Sequence, residues 1–427
     1  MKKSLKNIIL SLLLASFAVA FVSCGYEPVF YGIMHDVLPE EATVSGNITS
    51  IARCTISGKE YLVLSSGGSI MYKEAVSSQH GDWKSENIKL PFTLHHYNYF
   101  STSSEPEGHV GQQILRVIAD KDNLYLLTSS FQQDNEYGVV LPDAFHLWTV
   151  PLASFLGGSK DNWTDLVKGN ESLFPSRMNS SQSQVEMGFS FFFTNTPIPA
   201  NRKAFLSVTD SNTNSVAYYL LNGGSAPQDC TSTVTGSNFI KTNKDNTRAN
   251  SAFYIGSSLY FSDSFVITTN ETATTPATCV CMAGVSGNYY PTSDLFYYDG
   301  TGSLEKVLTN GASSPVSALA FTADSILIGE GSYSSTYTSN GGIERVLLGT
   351  DGKPENTTAE FENNAKYQFT SGYILLTLLC ADPSKKEAEA SIYATISYRG
   401  SGSSASASFN DIGLWSYYPS RGNWNRE

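Results

Sequence analysis

A chain of 427 residues with 15% charged residues, 24 Tyr and 23 Phe falls well below the roughly 25% charge of ordinary globular domains, which favours β structure over long solvated helices. A single core stops growing near about 250–300 residues, so the apolar content is shared by two domains or divided among repeats. The formal charge of −12, with no compact Lys/Arg cluster, argues against nucleic acid as a partner.

Residues 1–23 read as an export signal. Lys2, Lys3 and Lys6 give a basic start, and Ile8 to Val22 form an apolar run of about 15 residues. That run is short for a membrane span of about 20 residues and is flanked as a secretory signal is. It ends Phe21-Val22-Ser23-Cys24-Gly25. This ending resembles the lipobox of bacterial lipoproteins, in which a small residue precedes a cysteine that is acylated and becomes the mature N-terminus. Phe21 stands where Leu is usual, a relaxation familiar from spirochaete lipoproteins. The resemblance implies that Cys24 carries acyl chains, palmitate among them, and binds the protein to a lipid bilayer, because two or three chains anchor stably where one is marginal. An ordinary secretion signal with an incidental cysteine is the other reading. Removal of 1–23 leaves 24 basic and 39 acidic residues, a formal charge of −15.

Residues 24–45 show no clear period and read as a lipidated tether, and residues 46–427 carry a repeat. Its plan is visible from Gly58 to Trp83: a strand-like run Tyr61 to Ser65, a break at Gly67-Gly68, a run Ile70 to Tyr72, a polar turn with Gly81, and Trp83 opening another run. Glycine pairs between β-rich runs are hairpin chemistry. The first copy starts at Ile48 to Cys54. The second runs Ile114 to Ala119, Leu124 to Thr128, Phe145 to Val150 and Trp163. The third runs Met187 to Thr194, Ala204 to Val208, Val216 to Leu221 and a weak run near Cys230 to Val234. The fourth is Ala252 to Ile255, Leu259 to Ile267, Leu295 to Tyr298 and Leu304 to Leu308. The fifth is Val316 to Phe321, Ile326 to Ile328, Ile343 to Leu348 and a weak run near Thr357 to Phe361. The last is Tyr373 to Cys380, Ile392 to Tyr398, Ile412 to Tyr417 and Trp424.

Self-similarity with units of about 40–60 residues marks radial or solenoidal repeats. Six four-stranded antiparallel units predict an all-β fold, a six-bladed β-propeller, or a seven-bladed one if Tyr31 to Val44 contributes strands. Two β-sandwiches are the competing architecture. In propeller families an N-terminal strand often completes or covers the last blade, and that resemblance places Ala42 to Gly46 there.

Strands alternate direction within a blade, so second-to-third and blade-to-blade connections emerge on one face and the rest on the other. The connections Phe131–Ala144, Thr268–Asp294, Ser332–Gly342, Arg399–Asp411, Lys84–Gln113 and Val167–Glu186 are long and share the first face, whereas Lys121–Asn123 is minimal. Binding residues favour loops on a rigid scaffold, so the long-connection face is the expected functional surface. It carries His95, His96, Tyr97 and Tyr99, then Tyr289, Tyr290 and Tyr333. Exposed aromatics suit protein or glycan recognition; packing over the blade below is the plainer role for the same rings.

Catalytic motifs are missing from the sequence: there is no HExxH, GxSxG, phosphate-cradling GxxxxGK[ST] or CxxC. No residue set points to a metal or another cofactor. Cys279 and Cys281 would share one side of a strand, but no His lies close in sequence to join them as ligands. The expectation is therefore an envelope lipoprotein, resembling spirochaete-type propeller lipoproteins and sited on the periplasmic or outer side of the outer membrane. Its propeller is expected to bind a protein or glycan without catalysis, with a glycan-acting enzyme as the alternative.

Overall fold

The computed structural model describes residues 44, 48–66, 68–94, 109–134, 139–170, 189–193, 198–210, 215–230, 234–235, 253–255, 258–262, 267–269, 278–287, 290–298, 305–307, 316–330, 342–349, 354–360, 374–398 and 413–427. They form an all-β, propeller-type array of antiparallel sheets. The first blade is β1 (Ser50–Ile56), β2 (Lys59–Ser65) and β3 (Ile70–Glu74), with a single bridge from Tyr72 to Lys84 in the fourth place. The β1–β2 hairpin turns at Ser57 and Gly58, with φ of 51° and 78°. Positive φ at both central positions is the turn whose twist matches its strands. The second blade is β4 (His109–Ala119), β5 (Asn123–Asp134), β6 (Val139–Pro151) and β7 (Thr164–Asp165), with a short helix α1 (Leu152–Phe155) after β6.

A seven-stranded sheet follows. It contains β8 (Phe189–Phe193), β9 (Ala204–Asp210), β10 (Ser215–Leu220), β11 (Gln228–Asp229), β12 (Val234–Thr235), β13 (Phe253–Ile255) and β14 (Ser258–Ser262), in the order β11-β10-β9-β8-β14-β13-β12. Three four-stranded sheets complete the array. They are β15 (Ile267–Thr269), β16 (Thr278–Gly287), β17 (Tyr290–Tyr298) and β18 (Glu305–Val307); β19 (Val316–Phe321), β20 (Ser325–Glu330), β21 (Gly342–Leu348) and β22 (Pro354–Glu360); and β23 (Ile374–Ala381), β24 (Ile392–Tyr398), β25 (Gly413–Tyr418) and β26 (Asn423–Arg426).

Three expectations need correction. The expected fourth copy joins strands that the structure separates: β13 and β14 belong with β8, whereas Leu295 to Tyr298 lies in β17 beside β16. Thr268–Asp294 is accordingly not one long loop, since it holds β16 and most of β15. Small residues such as Ala283, Gly284 and Ser286 hide the strand, because they pair well along a backbone ladder yet contribute little apolar signal. Phe131–Ala144 is also largely strand, with β5 reaching Asp134 and β6 starting at Val139. Pro142 faces Phe131 just past a bulge there, and a proline in the run disguises a strand.

Cores lie in the seams between neighbouring blades. Ala52, Cys54 and Val63 meet Val117, Leu124 and Leu126 between the first two blades. Tyr125 and Leu127 meet Leu206 and Tyr219 in the next seam, and Ala318 and Leu327 meet Ile392 and Tyr417 between the last two. The recurring tryptophans cap these seams: Trp83, Trp163 and Trp424 are buried. Burial pushes the Cys54 thiol up to about 12, with the Glu60 charge adding to the effect. Among the described residues Cys54, Cys230 and Cys380 form no disulfide bond.

The seam between the last and first blades closes the ring. Leu62, Leu64 and Trp83 pack there on Tyr393, Leu414 and Tyr418, with Val44 beside them. Its centre is polar. The Glu427 carboxylate accepts from Lys73 Nζ at 3.0 Å, Trp83 Nε1 at 2.7 Å and the Gly81 N–H at 3.3 Å, and from the Ser416 and Tyr418 hydroxyls. The Lys73 and Glu427 side chains are both 0% exposed. Lys73 also sits over the rings of Tyr418, Trp83 and Tyr393. The Val44 N–H donates to the Glu427 carbonyl at 3.1 Å, which sets this one residue of the expected Ala42 to Gly46 strand against the last blade.

Burial alone would raise the Glu427 carboxyl, yet hydrogen bonding from His80, the Lys73 charge and the Ser416 and Tyr418 hydroxyls bring it from 4.5 down to about 2. A folded value below the unfolded one means stabilisation that is full above about pH 4.5 and is lost as pH falls towards about 2. Glu427→Gln leaves the Lys73 ammonium buried without its counter-charge. It is expected to cost about 3–5 kcal/mol at neutral pH, with the gap from wild type narrowing at pH 3; urea unfolding at both pH values measures this.

Candidate functional site

The chain leaving the first blade builds the site. From Lys84 to Leu94 it lies along the seam with the second blade, and Ile88, Leu90, Phe92 and Leu94 pack at alternate positions on the apolar cluster. Three hydrogen bonds pin it: Gly157 N–H to Asn87 O at 2.9 Å, Trp163 Nε1 to Lys89 O at 2.8 Å, and Gln112 N–H to Thr93 O at 2.8 Å. It thereby reaches the long-connection end of the seam, where β4 begins and β5 ends.

At that end the seam changes character. Near the short-connection end it is Val117, Leu126 and Val150. Two to five residues further along the same strands stand Gln112, Thr128 and His146, with Trp148 between Val150 and His146. Gln112 Oε1 accepts from Thr128 Oγ1 at 2.6 Å and from Trp148 Nε1 at 2.9 Å. Both bonds end on the amide oxygen, which leaves the Nε2 hydrogens for another acceptor. His146 and Trp148 are two apart on β6 and so share one face; their rings stack at 5.8 Å between centroids and 23° between planes. Phe92 tilts against Trp148 at 5.7 Å.

Asp165 on β7 fixes the imidazole, with Oδ2 at 2.8 Å from His146 Nδ1, while its Oδ1 accepts from the Val167 N–H at 3.0 Å. The His146 side chain is 25% exposed and that of Asp165 13%. The result is a shelf of aromatic edges and oriented polar groups, half-buried and locked by its own hydrogen bonds. Among the described residues no serine, threonine or cysteine forms a hydrogen bond with His146.

Of the residues expected from sequence, Cys24, His95, His96, Tyr97, Tyr99, Tyr289 and Tyr333 lie outside the described residues. Tyr290 opens β17 opposite Gly287; it belongs to a strand, not to the expected long loop. The residues that do come together, Phe92, Gln112, His146, Trp148 and Asp165, were hidden by their positions inside or beside strands. The period-two alternation from Ile88 to Leu94, and the spacing of His146 and Trp148, are the signals that point to them.

The opposite face carries a charged network. Arg53 on β1 donates to Asp382 in the β23–β24 connection at 3.3 Å and to Ala381 O at 3.4 Å, and lies 3.9 Å from Glu60 at the start of β2. Arg202, in the β8–β9 connection, clamps the same Glu60 with bonds of 2.9 and 3.3 Å, and its carbonyl accepts from the Lys121 N–H at 3.2 Å. Arg202 thus links the third unit to the first, past the second. Burial alone would raise Asp382, yet the Arg53 charge and the Ser384 hydroxyl and N–H hold it below the usual carboxylate range. Among the described residues no cluster of three or more His, Cys, Asp or Glu has the geometry for a metal ion, and no helix is long and apolar enough to cross a membrane.

No family model and no curated protein matches the chain. Among solved structures it is similar to puromycin hydrolase at 9% identity and a TM-score of 0.35, covering 73% of this chain and 38% of that one. It is also similar to the C-terminal domain of gp131 from bacteriophage phiKZ, at 11% identity and 0.36, covering 88% and 93% of the two chains. A third is the β-propeller domain of the Trilobed protease from Pyrococcus furiosus, at 9% and 0.31, with 89% and 84% covered. The chain therefore spans well under half of the puromycin hydrolase. Likeness at this level carries no argument about chemistry.

Gln112→Met keeps the volume of the side chain and removes the oxygen shared by the Trp148 indole and the Thr128 hydroxyl. A loss of about 1–3 kcal/mol for one buried and one half-buried donor left unpaired is expected from urea unfolding, together with faster exchange of the Trp148 indole hydrogen by NMR.

Proposed function

We propose that this chain is an exported bacterial lipoprotein, held to the outer membrane through acylated Cys24, whose propeller is a non-catalytic scaffold for a protein or glycan bound on the long-connection face. The observation that carries the non-catalytic part is the state of the carboxylates on the opposite face. A glycoside-cleaving site needs a carboxyl held protonated near neutrality, beside a second that stays ionised. Asp382 is driven the other way, and Glu60 is gripped by Arg202 and flanked by Arg53. Both acids are committed to guanidinium groups that tie separate units together.

The long-connection face supports binding. The shelf around Trp148 is rigid before any ligand arrives, and pre-organisation lowers the entropy lost on association. The anchor rests on the sequence Phe21 to Gly25 and on the acylation chemistry it resembles.

Cells expressing the wild type and Cys24→Ser are the test. Wild type is expected to incorporate labelled palmitate and to partition with membranes, and Cys24→Ser to lose both. Digestion of the wild type by protease on intact cells indicates a surface scaffold, and protection until the outer membrane is opened a periplasmic one. Equal labelling of the two proteins sinks the anchor.

A further inference from the structure

We propose that the shelf formed by Phe92, Gln112, His146, Trp148 and Asp165 is a subsite for one neutral pyranose ring of a glycan. This rests on the scaffold reading and narrows its ligand to one chemical class at one place.

A pyranose presents two kinds of surface. Its ring faces expose C–H groups that pack on aromatic carbon, and its rim carries hydroxyls that each donate one hydrogen bond and accept others. The shelf offers the complement of both. His146, stacked on Trp148 and a quarter exposed, supplies aromatic carbon, and Phe92 adds a second ring against the same indole at 5.7 Å. The rim partners are mixed in kind, as hydroxyls require: the Gln112 amide hydrogens donate, the Asp165 carboxylate accepts, and His146 Nε2 lies on the ring edge away from Asp165. A peptide docking on the same place would be met mainly through apolar pockets, and the rim here is polar.

The charge pattern sets the sugar type. The cluster contains a carboxylate and no lysine or arginine, and the chain as a whole carries −12; a uronic acid or sulfated sugar would be repelled. Asp165 is held by the Val167 N–H and by His146, so it keeps its orientation as an acceptor without a ligand. The aromatic rings are fixed in the same way, since Trp148 is tied to Gln112 and packs on Phe92. A site whose members are held by one another loses little freedom when it closes on a ligand.

The test uses the full chain purified in detergent and three neutral tetrasaccharides: a β-1,4-glucan, a β-1,3-glucan and a β-1,4-galactan. Saturation-transfer NMR and tryptophan fluorescence are expected to report binding of at least one. Trp148→Ala is expected to weaken it at least tenfold, and Trp148→Phe, which keeps a ring, by much less. Asp165→Asn, which keeps the shape and loses the charged acceptor, serves as the second variant should Trp148→Ala fail to fold, and a fall of several-fold is expected. Saturation transfer to none of the three sugars overturns the subsite and leaves the scaffold reading standing for a protein partner. Binding that is equally tight in the folded Trp148→Ala and Asp165→Asn proteins also overturns it. Shortened sugars in the same samples would instead overturn the non-catalytic reading, while Trp148-dependent binding upheld the subsite.

Discussion

Burial of the Lys73–Glu427 pair between the last and first blades is the contact on which the rest of the array depends. Each seam of a propeller shares its apolar surface between neighbours, and the ring is as strong as the seam that closes it. That seam could have been built from leucine and valine alone. It instead places an ion pair at 0% side-chain exposure, and such a pair stabilises only when every remaining valence is met. Here they largely are, because the carboxylate takes donors from Trp83, Gly81, Ser416 and Tyr418 as well as Lys73. The ammonium in turn faces three aromatic rings. A cluster with this many distance-sensitive partners fits one register of the two blades, whereas a smooth apolar seam tolerates sliding. The pair therefore contributes specificity of closure along with its energy.

A second polar tie works at longer range. Arg202 and Arg53 share Glu60, and Arg53 also reaches Asp382, so units that are not neighbours are joined through the first hairpin and the connections that carry Arg202 and Asp382. Short hairpins on this face make that possible: the two-residue turn at Ser57 and Gly58 delivers Glu60 at a fixed position. One face is accordingly spent on rigidity. The other is left with half-buried rings and amides whose hydrogen bonds run along a single seam, between Gln112, Thr128 and Trp148.

Much of the fold is legible in the sequence, because hairpin chemistry and aromatic recurrence are local. Trp83, Trp163 and Trp424 mark equivalent outer positions and are all buried as that implies. The strands around Leu62, Leu126, Ile326 and Ile392 fall where runs of branched and aromatic residues place them. Legibility fails where the strand signal is diluted. Thr278–Gly287 pairs along its length with β17, yet its small residues read as loop, and the β5–β6 hairpin carries Pro142 inside it. The joining of β14 to β8 is a non-local pairing, and nothing in the local pattern of Phe189–Phe193 or Ser258–Ser262 announces a partner. The candidate site was hidden for a related reason: Gln112 reads as part of the Lys84–Gln113 connection, whereas β4 starts at His109, and His146 reads as an ordinary polar position on a strand. Only the register, which sets both beside Trp148, turns them into a cluster.

The two faces also explain why charge and aromatic content pull in different directions in this chain. A low charge fraction leaves few residues for solvated surface, and several of those present are drawn into the network around Arg53 and the pair at Glu427. Carboxylates held by guanidinium or ammonium groups are poor proton carriers, since the ion pair that fixes them also keeps them ionised. The same feature that makes the array rigid thus ties Asp382, Glu60 and Glu427 to cationic partners. The recognition proposed above needs only groups that stay where they are put. Trp148, tied to Gln112 and stacked on His146, and Asp165, tied to His146 and Val167, meet that requirement from strands of one blade, with no movement of neighbouring blades.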